Sequence, residues 1–135
     1  MSENVISSKL SLLIADANPE NVNVLTKILA PDYDIKVAVD EEETIRHASS
    51  PDPPGLILLN NLKPTADRCA VCRKLKADQT AGDIPIILLA EPTTEDTEAK
   101  GFEMGAVDYL TTPFKTSVVR ASPAEQLRAF ATNSR

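Results

Sequence analysis

The chain has 135 residues, of which 42% are hydrophobic and 25% are charged, and this size and composition favour one domain with its own core. Its net charge of −6 argues against binding to nucleic acid or to an anionic membrane surface. No apolar stretch reaches the roughly 20 residues of a membrane helix, and the N-terminus lacks the basic start and apolar core of a signal peptide. We therefore expect a cytoplasmic protein.

Short apolar runs alternate with amphipathic helical segments in the first half of the chain. The predicted elements are a buried strand over 11–15, a helix over 19–30, an alternating strand over 34–39, a short helix that begins with the acidic residues 40–43, and a buried strand over 56–59. Asn18 is a suitable N-cap for the first helix, and Pro19 suits its first position. The 56–59 strand ends at Asn60 and Asn61, where a parallel sheet would carry functional residues.

The second half continues the same alternation. The predicted elements are a helix over 67–78, a buried strand over 84–89, a helix ending near 104, a short strand over 107–111 and a last helix from about 115. Val118, Val119 and Leu127 should face inward on that helix, and Pro123 should kink or break it. We expect frayed ends at 1–8 and 131–135.

This alternation predicts a single α/β domain over 1–135, with a parallel sheet and helices on both faces. The carboxyl ends of parallel strands share one edge, so Asp16, Asn60, Ala90 and Thr112 should lie close together. Asp16 could serve there simply as a loop acid that accepts hydrogen bonds from backbone amides.

Two cysteines, Cys69 and Cys72, form a C-x-x-C pattern. This pattern occurs in redox pairs and in zinc sites, but a zinc site needs four ligands and His47 is the only histidine. The pair falls inside a predicted helix, one turn apart. We therefore interpret the cysteines as small apolar residues on a buried helical face, and His47 as a solvated side chain.

Five stretches of the sequence are similar to one known family: LIADANPEN at 13–21, LILLN at 56–60, VCRKLKAD at 71–78, DIPII at 83–87 and GAVDYLTTPF at 105–114. Together they resemble the receiver domains of two-component response regulators over nearly the whole chain. The resemblance implies a flavodoxin-like, doubly wound fold with five parallel strands in the order 2-1-3-4-5. It also implies that an aspartate after the third strand takes a phosphoryl group from a histidine kinase, assisted by Mg2+, a Lys and a Thr or Ser hydroxyl.

The chain departs from that pattern at most of the reactive positions. Asn60 stands at the phosphoacceptor position, Ala17 replaces the second acid after the first strand, and Ala90 and Thr112 replace the hydroxyl and the Lys. Asp16 matches the family, and so do Tyr109 and Pro113 in the switch region. We therefore expect no metal and no other cofactor. The loss of the acceptor acid together with the Lys avoids a buried unpaired charge.

These features lead to the hypothesis of a pseudo-receiver, a phosphorylation-independent interaction module in two-component signalling rather than an enzyme. Its partner would be a signalling protein or an attached output domain, or a second copy bound through the last two helices and the fifth strand. One alternative is a small-molecule sensor that uses the neutral cleft. Another is phosphorylation elsewhere, for example on Asp67. The 71–78 and 83–87 stretches also resemble receivers attached to diguanylate cyclase output domains.

Two structural expectations accompany this hypothesis. The resemblance implies a cis Thr112–Pro113 bond, because receivers commonly have a cis bond at the corresponding position. Tyr109 could be a simple edge-strand aromatic, but Ala90 leaves space beside it, so we expect its ring to rest inward.

Overall fold

The computed structural model describes residues 9–60, 62, 68–90 and 105–133. Its five strands form one parallel sheet in the order β2-β1-β3-β4-β5, as expected. The strands are β1 (Leu10–Ala15), β2 (Tyr33–Ala38), β3 (Leu56–Leu59), β4 (Ile86–Ala90) and β5 (Asp108–Thr111). The flavodoxin-like, doubly wound fold class is therefore confirmed.

Four helices lie within the described residues, namely α1 (Pro19–Leu29), α2 (Glu41–Ala48), α3 (Arg68–Ala77) and α4 (Thr116–Asn133). Asn18 caps α1 as predicted, since its Oδ1 accepts from the backbone N–H of Glu20 at 2.8 Å. Asp40 caps α2 through the N–H of Glu43 at 2.8 Å. None of the helices in these ranges has both the length and the apolar content needed to cross a membrane.

Alternate residues of the strands feed two separate core clusters, one on each face of the sheet. Leu13, Ile57 and Leu88 belong to the cluster that α2 and α3 cover. Leu12, Leu58 and Ile87 belong to the cluster that α1 and α4 cover. All four residues of β3 are fully buried, which explains why this strand reads as an unbroken apolar run.

Several element boundaries differ from the sequence-based predictions. β2 begins one residue earlier than expected and β4 begins two residues later, because Ile84 follows a short 3-10 turn over Ala81–Asp83. Ala38 is buried on the edge strand β2, whereas Val37 and Val39 are 38% and 43% exposed. The side chains of an edge strand are less completely covered by neighbouring elements. An alternating apolar pattern therefore does not show which of them are buried.

The last helix corrects two expectations. It continues through Pro123 to Asn133, so the proline does not break it, while the alternative of a kink and the frayed end over 131–135 stay predictions. Val119 is buried and Leu127 is partly buried, but Val118 is 49% exposed. Asn61, Asp67, the helix expected to end near 104 and the ends at 1–8 and 134–135 lie outside the described residues.

Candidate functional site

The carboxyl edge of the sheet brings the loops after β1 and β3 together. Ala15 and Leu59 are register partners at the ends of these two strands. The backbone N–H of Asn60 extends the pairing, since it donates to the carbonyl of Ala15 at 2.8 Å. Asp16 and Asn60 therefore follow their strands side by side, as the sequence predicted.

Asp16 is almost fully buried at this edge, with 1% of its surface exposed. Its Oδ1 accepts the backbone N–H of Asn18 at 2.8 Å. Its Oδ2 accepts two carboxamide N–H groups, from Asn21 at 3.0 Å and from Asn60 at 3.1 Å. A buried carboxylate is thus held entirely by neutral donors, and within the described residues it forms no ion pair.

The orientation of the Asn60 amide follows from the chemistry of its partner. A carboxylate can only accept hydrogen bonds, so the amino group of Asn60 has to face Asp16. The carbonyl oxygen of the same amide is directed away from that contact. Asp16 does accept a backbone amide, as the hypothesis of a loop acid predicts, and Asn60 is an additional donor; that this is its whole role stays a prediction.

Asn21 was not among the residues that the sequence singled out. It lies in the first turn of α1, five residues after Asp16, and its side chain reaches back to the carboxylate. This separation matches no local capping pattern. The contact exists because the loop over 16–18 turns α1 back over the end of β1.

The other predicted site residues are placed less completely. Ala17 is half-buried beside Asp16, and its side chain has no atom that could bind a metal. The backbone of Ala90 ends β4, but its side chain lies outside the described residues. Thr112 is half-buried just after β5, and the Thr112–Pro113 bond is cis, which confirms that prediction.

Tyr109 is half-buried on β5, and its side chain packs against the core cluster on the α2 and α3 face. The ring is therefore neither fully inside nor fully exposed. Its relation to the Ala90 side chain stays a prediction.

A groove of about 340 Å3 runs along the end of β5 and the first turns of α4. We call this surface the interaction face; the residues that line it are Tyr109 to Lys115, Val118 and Val119. A second groove, of about 480 Å3, lies between α1 and the loop over 112–114. It reaches the cleft, because Asn21 and Thr112 both line it.

The cysteine interpretation agrees with the described residues. Cys72 is fully buried in the core on the inner side of α3, and the side chain of Cys69 lies outside the described part. His47 is half-buried in the last turn of α2, so it is less solvated than expected.

Comparisons with known proteins agree with this geometry. A model of the response regulator receiver domain family matches residues 12–122. The chain belongs to this family.

Two curated relatives are similar over most of the chain. Response regulator PleD of Caulobacter vibrioides is 36% identical over 103 residues, which are 76% of this chain and 22% of PleD. The DNA-binding dual master transcriptional regulator RpaA of Synechocystis is 31% identical over 120 residues, which are 87% of this chain and 48% of RpaA. The chain thus spans less than half the length of either relative.

Solved structures share the fold. The signal receiver domain of a signal transduction histidine kinase from Syntrophus aciditrophicus is 28% identical, with a TM-score of 0.73 and coverage of 91% of this chain and 90% of that one. The receiver domain of sensor histidine kinase PA1611 from Pseudomonas aeruginosa, solved with a magnesium ion in its active-site cleft, is 23% identical. Its TM-score is 0.76, and the match covers 91% of this chain and 98% of that one.

Proposed function

We propose that this receiver domain acts without phosphorylation, as a protein-interaction module in two-component signalling. The observation that carries the proposal is the hydrogen bond from the carboxamide of Asn60 to the carboxylate of Asp16. The family resemblance assigns residue 60 the role of phosphoacceptor. Here that position holds a neutral amide which is already bonded to its neighbour.

The first argument concerns nucleophilicity. Covalent catalysis by an acid residue uses a carboxylate oxygen, which attacks phosphorus and forms an acyl phosphate. The amide oxygen of Asn60 carries no full charge, and the amide nitrogen shares its lone pair with the carbonyl group. Asn60 therefore offers no group that could accept a phosphoryl group at neutral pH.

The second argument concerns the metal that receivers of this family use. Mg2+ requires near-octahedral oxygen ligands and binds proteins through one or two carboxylates. Coordination by Oδ2 of Asp16 would remove the hydrogen bonds from Asn21 and Asn60, and the side chain of Ala17 offers no ligand. Among the residues that the structure describes, no group of three His, Cys, Asp or Glu side chains could hold a metal. The residues present do not fit Mg2+, in contrast to the cleft of the PA1611 receiver.

The relatives support a regulatory role through contact with other protein. PleD is named a response regulator and RpaA a transcriptional regulator, and both are at least twice as long as their match to this chain. We infer that this domain acts on an attached output domain or on a separate signalling protein in the cytoplasm. A homodimer through the interaction face, together with the helix that the sequence predicts before β5, is the third form of the same proposal.

Small-molecule sensing is the second candidate function. The groove of about 480 Å3 between α1 and the loop over 112–114 opens beside the cleft, and its size falls within the range of ligand sites. Its lining is mixed, with Glu20, Asn23 and Val24 on one side and Pro113 and Phe114 on the other. Ligand-induced stabilisation in a metabolite screen would favour this candidate.

The main test is a phosphorylation assay on the whole chain. We expect no mass increase after incubation with acetyl phosphate and Mg2+, and no spectral change with beryllofluoride. The matched control is a variant in which Ala17→Asp, Asn60→Asp, Ala90→Thr and Thr112→Lys restore the four family positions. A stoichiometric, Mg2+-dependent mass gain in the unmodified chain would contradict the proposal.

A further inference from the structure

A buried hydrogen bond joins β5 to the last helix. The hydroxyl of Ser122 on α4 donates to Oδ2 of Asp108 at 2.5 Å. Oδ1 of the same carboxylate accepts the backbone N–H of Tyr109 at 2.8 Å. Ser122 is only 6% exposed, and Asp108 is half-buried, so this contact lies under the helix rather than on the open surface.

The Ser122–Asp108 bond lies next to the point where the helix lacks a backbone hydrogen bond. Pro123 follows Ser122 directly and has no N–H, so the carbonyl of Val119 loses its usual helical partner. Even so, α4 continues without a break, and Val119 and Pro123 are both buried. Tertiary contacts therefore support the helix at this turn, and the Asp108–Ser122 bond is a buried polar contact among them, in addition to the exposed Arg120–Asp32 ion pair.

The same carboxylate also fixes the strand that carries Tyr109. Because one oxygen binds the N–H of Tyr109 and the other binds Ser122, the positions of the strand and the helix depend on each other. Tyr109 on β5 and Val119 on α4 both line the interaction face. A shift of the strand would therefore change the shape of this groove.

We infer that Asp108 and Ser122 form a lock that holds α4 against β5 and keeps the interaction face in one state. The inference rests on the proposed function, because a receiver without phosphorylation needs a surface that does not wait for a phosphate signal. Asp108 and Ser122 act as positioning residues for that surface.

Amide hydrogen exchange on the full chain tests the lock. In Ser122→Ala, protection of amides in β5 and in residues 119–127 should fall about tenfold, because a hydrogen bond to a charged group is lost. Protection in β3 should stay within about twofold, which separates a local opening from general destabilisation. Asp108→Asn keeps a weaker neutral acceptor and should lower the same protections about threefold. The control Ser117→Ala removes an exposed hydroxyl from the same helix and should change nothing.

The lock is overturned if Ser122→Ala leaves β5 and α4 protected within about twofold, or lowers protection equally in β3. If Ser122→Ala does not fold, Asp108→Asn decides, and unchanged protection in that variant overturns the lock. The phosphorylation assay is independent of these measurements. An inert chain with unchanged exchange refutes only the lock, whereas a phosphorylated unmodified chain refutes the proposed function.

Discussion

The Asn60 amide completes the hydrogen bonding of Asp16. Three N–H groups, from the backbone of Asn18 and the side chains of Asn21 and Asn60, donate to the buried carboxyl group. Within the part of the chain that the structure describes, hydrogen bonds from neutral groups alone satisfy Asp16, so its burial does not by itself indicate a metal site.

Replacing this amide by an acid should not restore the family reaction. In Asn60→Asp, a donor to Asp16 at 3.1 Å becomes a second carboxylate, so a hydrogen bond is exchanged for repulsion. We expect no Mg2+-dependent phosphorylation, because Ala17, Ala90 and Thr112 are unchanged, and a loss of about 1–3 kcal/mol in the free energy of unfolding. Urea denaturation and mass spectrometry measure the two effects.

The matched control for this variant is Asn23→Asp, on the exposed side of α1. It adds the same charge away from Asp16 and should change stability by less than about 0.5 kcal/mol. Strong phosphorylation of Asn60→Asp would show that the other three positions matter less than proposed.

The sequence predicted part of this cleft and missed the rest for a physical reason. Asp16 and Asn60 were predictable, because each directly follows a strand and parallel strands end at a common edge. The contribution of Asn21 depends on how the loop turns α1 back over the sheet, which no spacing rule describes. The Asp108–Ser122 contact likewise depends on the position of the last helix along β5, which the sequence pattern does not determine.

At the level of elements, Lys76 joins α3 to the starts of two strands. Its Nζ donates to the carbonyls of Gly82 at 3.2 Å and Ile84 at 2.9 Å, just before β4. Its stem passes under Gly105, where an added Cβ would lie 2.9 Å from the Lys76 Cγ. Gly105 has a φ of +105°, which glycine adopts without strain. Both the backbone conformation and the close approach of Lys76 therefore favour glycine at this position.

Lys76→Met should therefore weaken the domain while keeping the packing of the stem. The free energy of unfolding should fall by about 1–2 kcal/mol, because two carbonyls lose their donor. Lys74→Met is the control in the same helical turn. Lys74 is exposed and pairs with Glu41 at the surface, so its loss should cost less than about 1 kcal/mol. Equal effects of both substitutions would contradict this role of Lys76.

The difference in unfolding free energy between the unmodified chain and Lys76→Met should depend on pH, and the direction of the change can be derived. Burial lowers the pKa of Lys76 below its ordinary 10.5, and the charges of Cys72 and Asp83 partly oppose the shift. Between the lowered value and 10.5 the unfolded state binds more protons, so the unmodified chain should gain stability relative to Lys76→Met as pH rises through this window. The comparison of variants is necessary because burial and Asp32 raise the pKa of Tyr33, which has the opposite effect.

The order of elements was predictable from sequence, but some details of their packing were not. Apolar runs and capping residues such as Asn18 predicted the described strands and helices in the correct order. Pro123 was expected to kink or break the last helix, but the helix continues past it, at a turn where Val119 and Pro123 are buried and Ser122 donates to Asp108. Val118 was expected inside because it is apolar, yet it lies on the wall of the interaction face.

For the whole molecule, the inference about the interaction face builds on the proposal about the cleft. We propose that the cleft works without a cation, and we infer that the Asp108–Ser122 contact makes a signal-dependent movement unnecessary. Both parts are built from hydrogen bonds that involve no phosphate. A domain of this kind should respond to its binding partner and not to the ions that regulate active receivers.

The stability of the whole domain should therefore be independent of Mg2+. A ligand that binds only the folded state adds about 2.7 kcal/mol to the free energy of unfolding at a hundred times its Kd, so even weak binding would be visible in urea denaturation. We expect no change for the unmodified chain. Ala17→Asp/Asn60→Asp should be less stable without metal, because carboxylates then crowd Asp16, and it should regain stability when Mg2+ is added. Adding Asp16→Asn to that variant should abolish the response, whereas Mg2+ stabilisation of the unmodified chain would show that its cleft binds the ion after all.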